Sequence, residues 1–132
     1  YDVHGKNILK TLNKFYANDL GIKQIKTNNE EINYSVALEN IVYNDLIGKG
    51  YKVFIGKTKK GEIDFIASKN NKFKYIQVCF DLSDESTRIR EFSAFDDIDD
   101  NNKYIITLTK KDYSTDDVKQ INIFDFLMND EF

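Results

Sequence analysis

Proline and tryptophan are absent from the 132 residues, and cysteine, methionine and histidine each occur once. A lone thiol, Cys79, closes no internal disulfide, which excludes a disulfide-stapled secreted scaffold. With His4 the only imidazole, the chain cannot assemble a structural zinc site of its own. No apolar run approaches the roughly 18 residues that span a bilayer, and no basic-then-apolar leader opens the chain, so the cytoplasm is the expected location. Met128 is the sole methionine; Tyr1 is therefore not read as a translation start, and a longer parent polypeptide is expected. Gly56 and Gly61 bracket a lysine-rich turn but lack the G-x-x-x-x-G-K-[ST] spacing of a phosphate-cradling loop.

What is present argues for one folded domain. Hydrophobic residues make up 41% and aromatics 14%, from ten Phe and eight Tyr, which is too rich in large apolar groups for disorder. Charge is unevenly divided. Residues 1–80 hold 13 Lys/Arg against 8 Asp/Glu, a net of +5, whereas residues 81–132 net −8. The overall −3 argues against a dedicated nucleic-acid binder. A local basic strip nevertheless runs through Lys49, Lys52, Lys57, Lys59 and Lys60 beside Tyr51 and Phe54. It reads either as a solvated face around two strands or as a nucleic-acid contact centred on Lys57, Lys59 and Lys60.

The Asn- and Glu-rich stretch 26–33 is a loop separating an N-terminal arm, residues 1–33, from an α/β domain, residues 34–132. Within the arm, residues 14–17 (KFYA) are a candidate short strand. From Tyr34 the apolar positions Val36, Ala37, Leu38, Ile41, Val42, Leu46 and Ile47 recur at helical spacing, with Ser35 as N-cap and Gly48 or Gly50 as the stop. Strands are expected over 51–57, 62–69 and 72–80, the last two joined by Asn70-Asn71, which suits a two-residue primed turn. A polar helix capped by Ser83 follows, its apolar face set by Ile89, Phe92 and Phe95, and the acidic residues 96–100 end it. The apolar run 103–109 is a strand buried in mid-sheet, 119–122 a short edge strand and 124–128 a last helical turn. The order is α-β-β-β-α-β with minor additions, which is an α/β fold with a central sheet flanked by helices.

The Asn-Asn turn fixes a register in which facing residue numbers sum to 141. Asp64 then faces Gln77, and Glu62 faces Cys79, placing all four on one polar face opposite an apolar face of Ile63, Phe65, Ile76, Val78 and Phe80. Glu39, set among the apolar positions of the first helix, can reach the rim of that patch. Two carboxylates converging from a helix and a strand suit a hard divalent cation such as Mg²⁺. The plainer reading is structural, with Asp64 held by backbone amides. Arg88 and Arg90 lie about 200° apart on their helix, so they form no single fork; a helix salt bridge to Asp84, Glu85 or Glu91 is expected.

The segments YDVHGKNILKTLNKFYANDLGI, ALENIVYNDLIGKGYKVFIGKTKKGEIDFIA and YIQVCFDLSDESTRIREFSAF resemble the C-terminal domain of a large family of prokaryotic AAA-type ATPases. The resemblance covers most of the chain and is most specific from Leu38 to Phe95. It implies a PD-(D/E)XK nuclease-like fold, preceded in the parent protein by an ATPase module and a winged-helix linker. The nuclease motif would fall on Glu39, Asp64 and the tripeptide Gln77-Val78-Cys79. Both chemical positions of the tripeptide depart from the pattern. Gln77 brings no charge to a metal, and Cys79 stands where a lysine would steady developing phosphate charge. Lys74 points away in this register, while Lys57, Lys59 or Glu62 are sterically able to substitute. The expected function is thus an accessory domain with an inactive nuclease site, acting in interaction or regulation with the ATPase module of its own polypeptide. ATP would bind only in that module. The alternatives are an active Mg²⁺-dependent nuclease with Glu39 and Asp64 as metal ligands, and a non-catalytic nucleic-acid binder.

Overall fold

The computed structural model describes residues 34–132; the arm, its candidate strand and His4 lie outside the described residues. Helix α1 (Tyr34–Gly48) buries Leu38, Val42 and Leu46, one residue per turn along a single stripe. It starts one residue before Ser35, so that serine is not its cap. Its end is a Schellman motif. The Tyr51 N–H donates to the Leu46 carbonyl and the Gly50 N–H to that of Ile47, with Gly50 at φ 89°. Ile41 and Ile47, expected in the core, are exposed. They lie off the inward stripe, because this helix is apolar on more faces than the one it buries.

Three antiparallel strands follow, β1 (Lys52–Thr58), β2 (Gly61–Lys69) and β3 (Lys72–Cys79). The β2–β3 register is the expected one, from Lys69 opposite Lys72 to Phe65 opposite Ile76. Asn70 and Asn71 take φ of 53° and 60°, the left-handed geometry of a primed turn that an amide side chain tolerates. After helix α2 (Glu85–Ser93) comes β4 (Lys103–Thr107), parallel to β3 and buried between it and β5 (Lys119–Asn122). Helix α3 (Ile123–Met128) is the last regular element, and the described residues hold one mixed five-stranded sheet in the order β1-β2-β3-β4-β5. The element order expected from periodicity is therefore found, with β5 and α3 as the additions.

The cap of α2 is Asp84, not Ser83; its carboxylate accepts from the Thr87 N–H at 3.1 Å, where the helix dipole favours a negative charge. Of the stripe of Ile89, Phe92 and Phe95, the last two pack in the core on this side of the sheet and Ile89 does not. Ile89 is 63% exposed, and Phe95, buried, lies just past the end of the helix in the turns that follow it. Arg88 donates to the carbonyls of Leu82 and Ser83 and lies 4.2 Å from the Tyr113 ring centroid instead of forming a helix salt bridge, whereas Arg90 pairs with its neighbour Glu91 at 3.3 Å.

Both faces of the sheet are apolar. Phe65, Ala67, Ile76, Val78 and Ile106 pack under α1 and α3. Ile63, Ile66, Tyr75, Cys79 and Ile105 pack under Leu82, Phe95 and Ile98 on the α2 side. Each such Leu, Ile or Phe contributes roughly 1.5–3 kcal/mol by leaving water. The expected division into a polar and an apolar face is thereby corrected: Cys79 belongs to the second core, and Phe80, beyond the end of β3, is partly exposed and stacks on Tyr34. Among the described residues no helix is long and apolar enough to cross a membrane.

Candidate functional site

Ile63 is the second departure, and it defines the site. Along β1 and β2 the pairing runs Phe54 to Ile66 and then Gly56 to Ile63, two steps on one strand against three on the other. Asp64 and Phe65 together oppose Ile55, which is a β-bulge in β2. The extra residue turns Ile63 onto the same face as Ile66, and both close over Gly56. A Cβ on Gly56 would lie 2.8 Å from Ile66 Cδ1 and 2.9 Å from Ile63 Cβ, so any larger residue there would have to displace the two isoleucines.

Immediately beyond the bulge, the regular β2–β3 pairing stops at Phe65 and Ile76, and side chains take over from backbone. The Asp64 N–H donates to Gln77 Oε1 at 2.7 Å, and the Val78 N–H donates to Asp64 Oδ2 at 2.8 Å. Gln77 Nε2 donates in turn to Glu91 Oε2 at 3.0 Å. Gln77 is only 6% exposed, and its amide is engaged at both ends. Asp64, Gln77 and Glu91 thus form a continuous polar thread from β2 through β3 to α2.

Electrostatics at this thread are one-sided. Burial pushes the Asp64 carboxyl up to about 8, and the charge of Glu39 on α1 is the next largest cause, with Glu91 and Glu62 adding to it. The Val78 amide pulls the other way without offsetting them. Glu91, with a side chain 13% exposed, is also raised, chiefly by burial, while Arg90 beside it opposes the shift. Near neutral pH Asp64 is therefore largely protonated. The named charges that bear on it from other side chains are all carboxylates.

Glu39 and Asp64 are thus close enough to interact, as the sequence suggested, and Asp64 and Gln77 are joined directly. Glu62 is exposed. Cys79 is buried, its Sγ donates to the Asp81 carbonyl at 3.3 Å, and burial pushes the thiol up to about 11, so it is no thiolate. The lysines considered as substitutes, Lys57 and Lys59, are exposed around the β1–β2 turn, and Lys60 of the basic strip pairs with Asp96. Lys49 leaves the basic strip altogether. Its ammonium is buried against Asp45, the Phe126 carbonyl and the Phe126 ring. The residue that sequence reasoning passed over is Glu91, seen there only as a partner for an arginine. Its signal was helical spacing, since Glu91 lies one turn from both Thr87 and Ala94, on the side of α2 that faces the sheet.

The donors do not fit a divalent cation as they stand. One oxygen of Asp64 and the amide oxygen of Gln77 are already engaged by backbone N–H groups, and a Mg²⁺ site needs several free oxygens in near-octahedral array. Among the described residues no group of three His, Cys, Asp or Glu side chains is arranged to hold a metal ion.

Comparison with known proteins gives two findings. An uncharacterized protein of Haemophilus influenzae is 36% identical over 131 residues, covering 97% of this chain and 32% of the relative, so the chain spans about a third of that protein's length. No solved structure matches. Residues 34–126, which begin at α1 and take in the whole sheet, match the family described as Domain of unknown function (DUF4143), and the chain belongs to that family.

Proposed function

We propose that this is an accessory, non-catalytic domain with a degenerate PD-(D/E)XK nuclease-like fold, acting in interaction or regulation beside the ATPase module of an AAA-type parent protein. The nuclease likeness rests on the α-β-β-β-α-β order and on where Glu39, Asp64 and Gln77 fall in it; it is an argument from fold, and fold alone does not give activity. The observation that carries the loss of catalysis is the engagement of Gln77 at both ends together with the capture of Asp64 Oδ2 by the Val78 amide. A water-activating site needs those oxygens available and a cation near the developing phosphate charge. Here the third-strand acid is an amide, the lysine position is a buried thiol, and Glu91 joins the thread as a hydrogen-bond acceptor. Room for an ATPase module is supported by the Haemophilus relative, of which this chain matches 32%. ATP binding then belongs to that module, and a cytoplasmic setting goes with it.

A nuclease assay on the full-length parent protein, with Mg²⁺ or Mn²⁺ and with DNA and RNA, tests the reading. The expected result is no cleavage above that of an Asp64→Ala variant. Cleavage that Asp64→Ala abolishes would restore the active-nuclease alternative. Deleting residues 34–132 is expected to leave ATP binding intact while changing the rate of ATP turnover; unchanged turnover would argue against a regulatory role. Nucleic-acid binding through Lys57, Lys59 and Lys60 is the weaker alternative, because Lys60 is already paired with Asp96. Steeply salt-dependent binding that falls when these lysines are neutralised would favour it.

A further inference from the structure

The opposite end of the β2–β3 hairpin, on the α1 side of the sheet, carries a cavity of about 350 Å³, within the range of small-ligand sites. Tyr51 and Phe132 form apolar walls, and Lys69, Lys72 and Lys74 also line it. Lys69 donates to the Lys49 carbonyl at 2.7 Å and sits 5.3 Å from the Tyr51 ring centroid. Lys74 is half-buried, 4.2 Å from the Phe132 ring centroid and 5.4 Å from that of Tyr104. Among the described residues none of these three lysines is within ion-pair distance of a carboxylate. Aromatic faces hold cations in place without neutralising them. The result is a concave site lined by three lysines against two carboxylates, Asp130 and Glu131, with no close ion pair among them.

The geometry points to a binding site for the phosphate group of a small phosphorylated ligand, cradled by Lys69, Lys72 and Lys74 against Tyr51 and Phe132. Phosphate supplies several acceptor oxygens, and charge-assisted bonds from three flexible ammonium groups suit it without demanding planar geometry. Burial lowers the Lys74 amine, and the charges of Lys119, Lys49 and Lys72 lower it further, which is the electrostatic mark of a pocket that an anion would relieve. Asp130 and Glu131 also line the cavity. They limit the occupant to a compact anion, because a longer run of phosphates continuing across them would be repelled. This reading is independent of Asp64 and the nuclease likeness.

Titration of the 132-residue chain with inorganic pyrophosphate, AMP, adenosine and a single-stranded oligonucleotide tests it, followed by amide chemical shifts in ¹H–¹⁵N spectra. Pyrophosphate and AMP are expected to bind and to shift the amides of Asn70, Lys72 and Lys74, whereas adenosine does not. Binding of AMP alone would make the site one for nucleotides, and equal binding of both would make it one for phosphate as such. Lys72→Gln, at an exposed position, is expected to weaken binding about tenfold, the loss of one charge-assisted contact. Lys74→Gln should do the same, and Asp130→Asn should tighten it. Shifts confined to other parts of the chain, or binding by adenosine or the oligonucleotide alone, would overturn the proposal, and wild-type shift mapping decides this even if a variant fails to fold.

Discussion

At the open end of the β2–β3 hairpin Asp64 meets Glu39, Glu91 and Glu62; near its turn Lys74 meets Lys72, Lys49 and Lys119. Both are like-charge crowds on one pair of strands, yet they are accommodated differently. The acidic end is engaged internally by the Asp64–Gln77–Glu91 thread, and its excess charge is relieved by a proton, since Asp64 is pushed up to about 8. The basic end stays open to a cavity, its ammonium groups resting on aromatic rings. Both side chains are partly exposed. Burial and like charges raise the Asp64 carboxyl, so a proton answers the crowding there; burial and like charges lower the Lys74 amine, which an anion entering the cavity would relieve.

The largest expected effect comes from removing the buried charge. The Asp64 carboxyl ionises near 4 in the unfolded chain and at about 8 when folded, so between these values the folded state holds the extra proton. Stability therefore falls as pH rises from about 4 to about 8 and levels off above. Asp64→Asn, which can still accept from Val78, is expected to abolish that slope. At about pH 9 it should be more stable than the parent by about 2–4 kcal/mol in urea unfolding, with little difference near pH 4. A variant whose stability keeps the parent's pH slope would show that the slope arises elsewhere. Gln77→Ala, by contrast, should cost about 2–3 kcal/mol, because it leaves the Asp64 N–H and Glu91 without their partner in a buried place. A loss below about 0.5 kcal/mol would mean that the thread is not what closes this end.

Legibility followed the same division. The turn and its register could be read because two asparagines and two alternating strands have few other ways to meet, and the observed pairs are the expected ones. The bulge could not be read, since GEIDFIAS alternates acceptably without it; the β1–β2 pairing and the packing of Ile63 and Ile66 over Gly56 show that one residue is extra. That insertion moved Ile63 off the expected apolar face, whereas Cys79 joins the second core from β3, whose register with β2 is the expected one. For α2, Ser83 and Asp84 are both good caps, and the carboxylate prevailed where the helix dipole adds to its hydrogen bond. Convergence of Glu39 with Asp64 was visible from helix and strand spacing, whereas Glu91 was hidden because its role depends on how α2 lies across the sheet.

Smaller changes sharpen the contrast between the ends. Gly56→Ala drives a methyl into Ile63 and Ile66 and should cost about 1–3 kcal/mol, measured as a lower melting temperature. Replacing Asn70 and Asn71 together by Ala places two left-handed residues without amide support and should cost about 1–2 kcal/mol. Lys72→Gln is expected to change stability by less than about 0.5 kcal/mol, since that position is exposed and carries no ion pair among the described residues. A large loss there would make the basic end a structural element instead of an open one.

The central claim, that the acidic end is closed and engaged internally, is tested most directly by following the Asp64 side-chain carboxyl carbon by NMR through a pH titration, with and without millimolar Mg²⁺. A midpoint near 8 that Mg²⁺ leaves in place is the predicted result. A midpoint near 4, or one that Mg²⁺ pulls sharply down, would mean an ionised carboxylate ready to hold a metal.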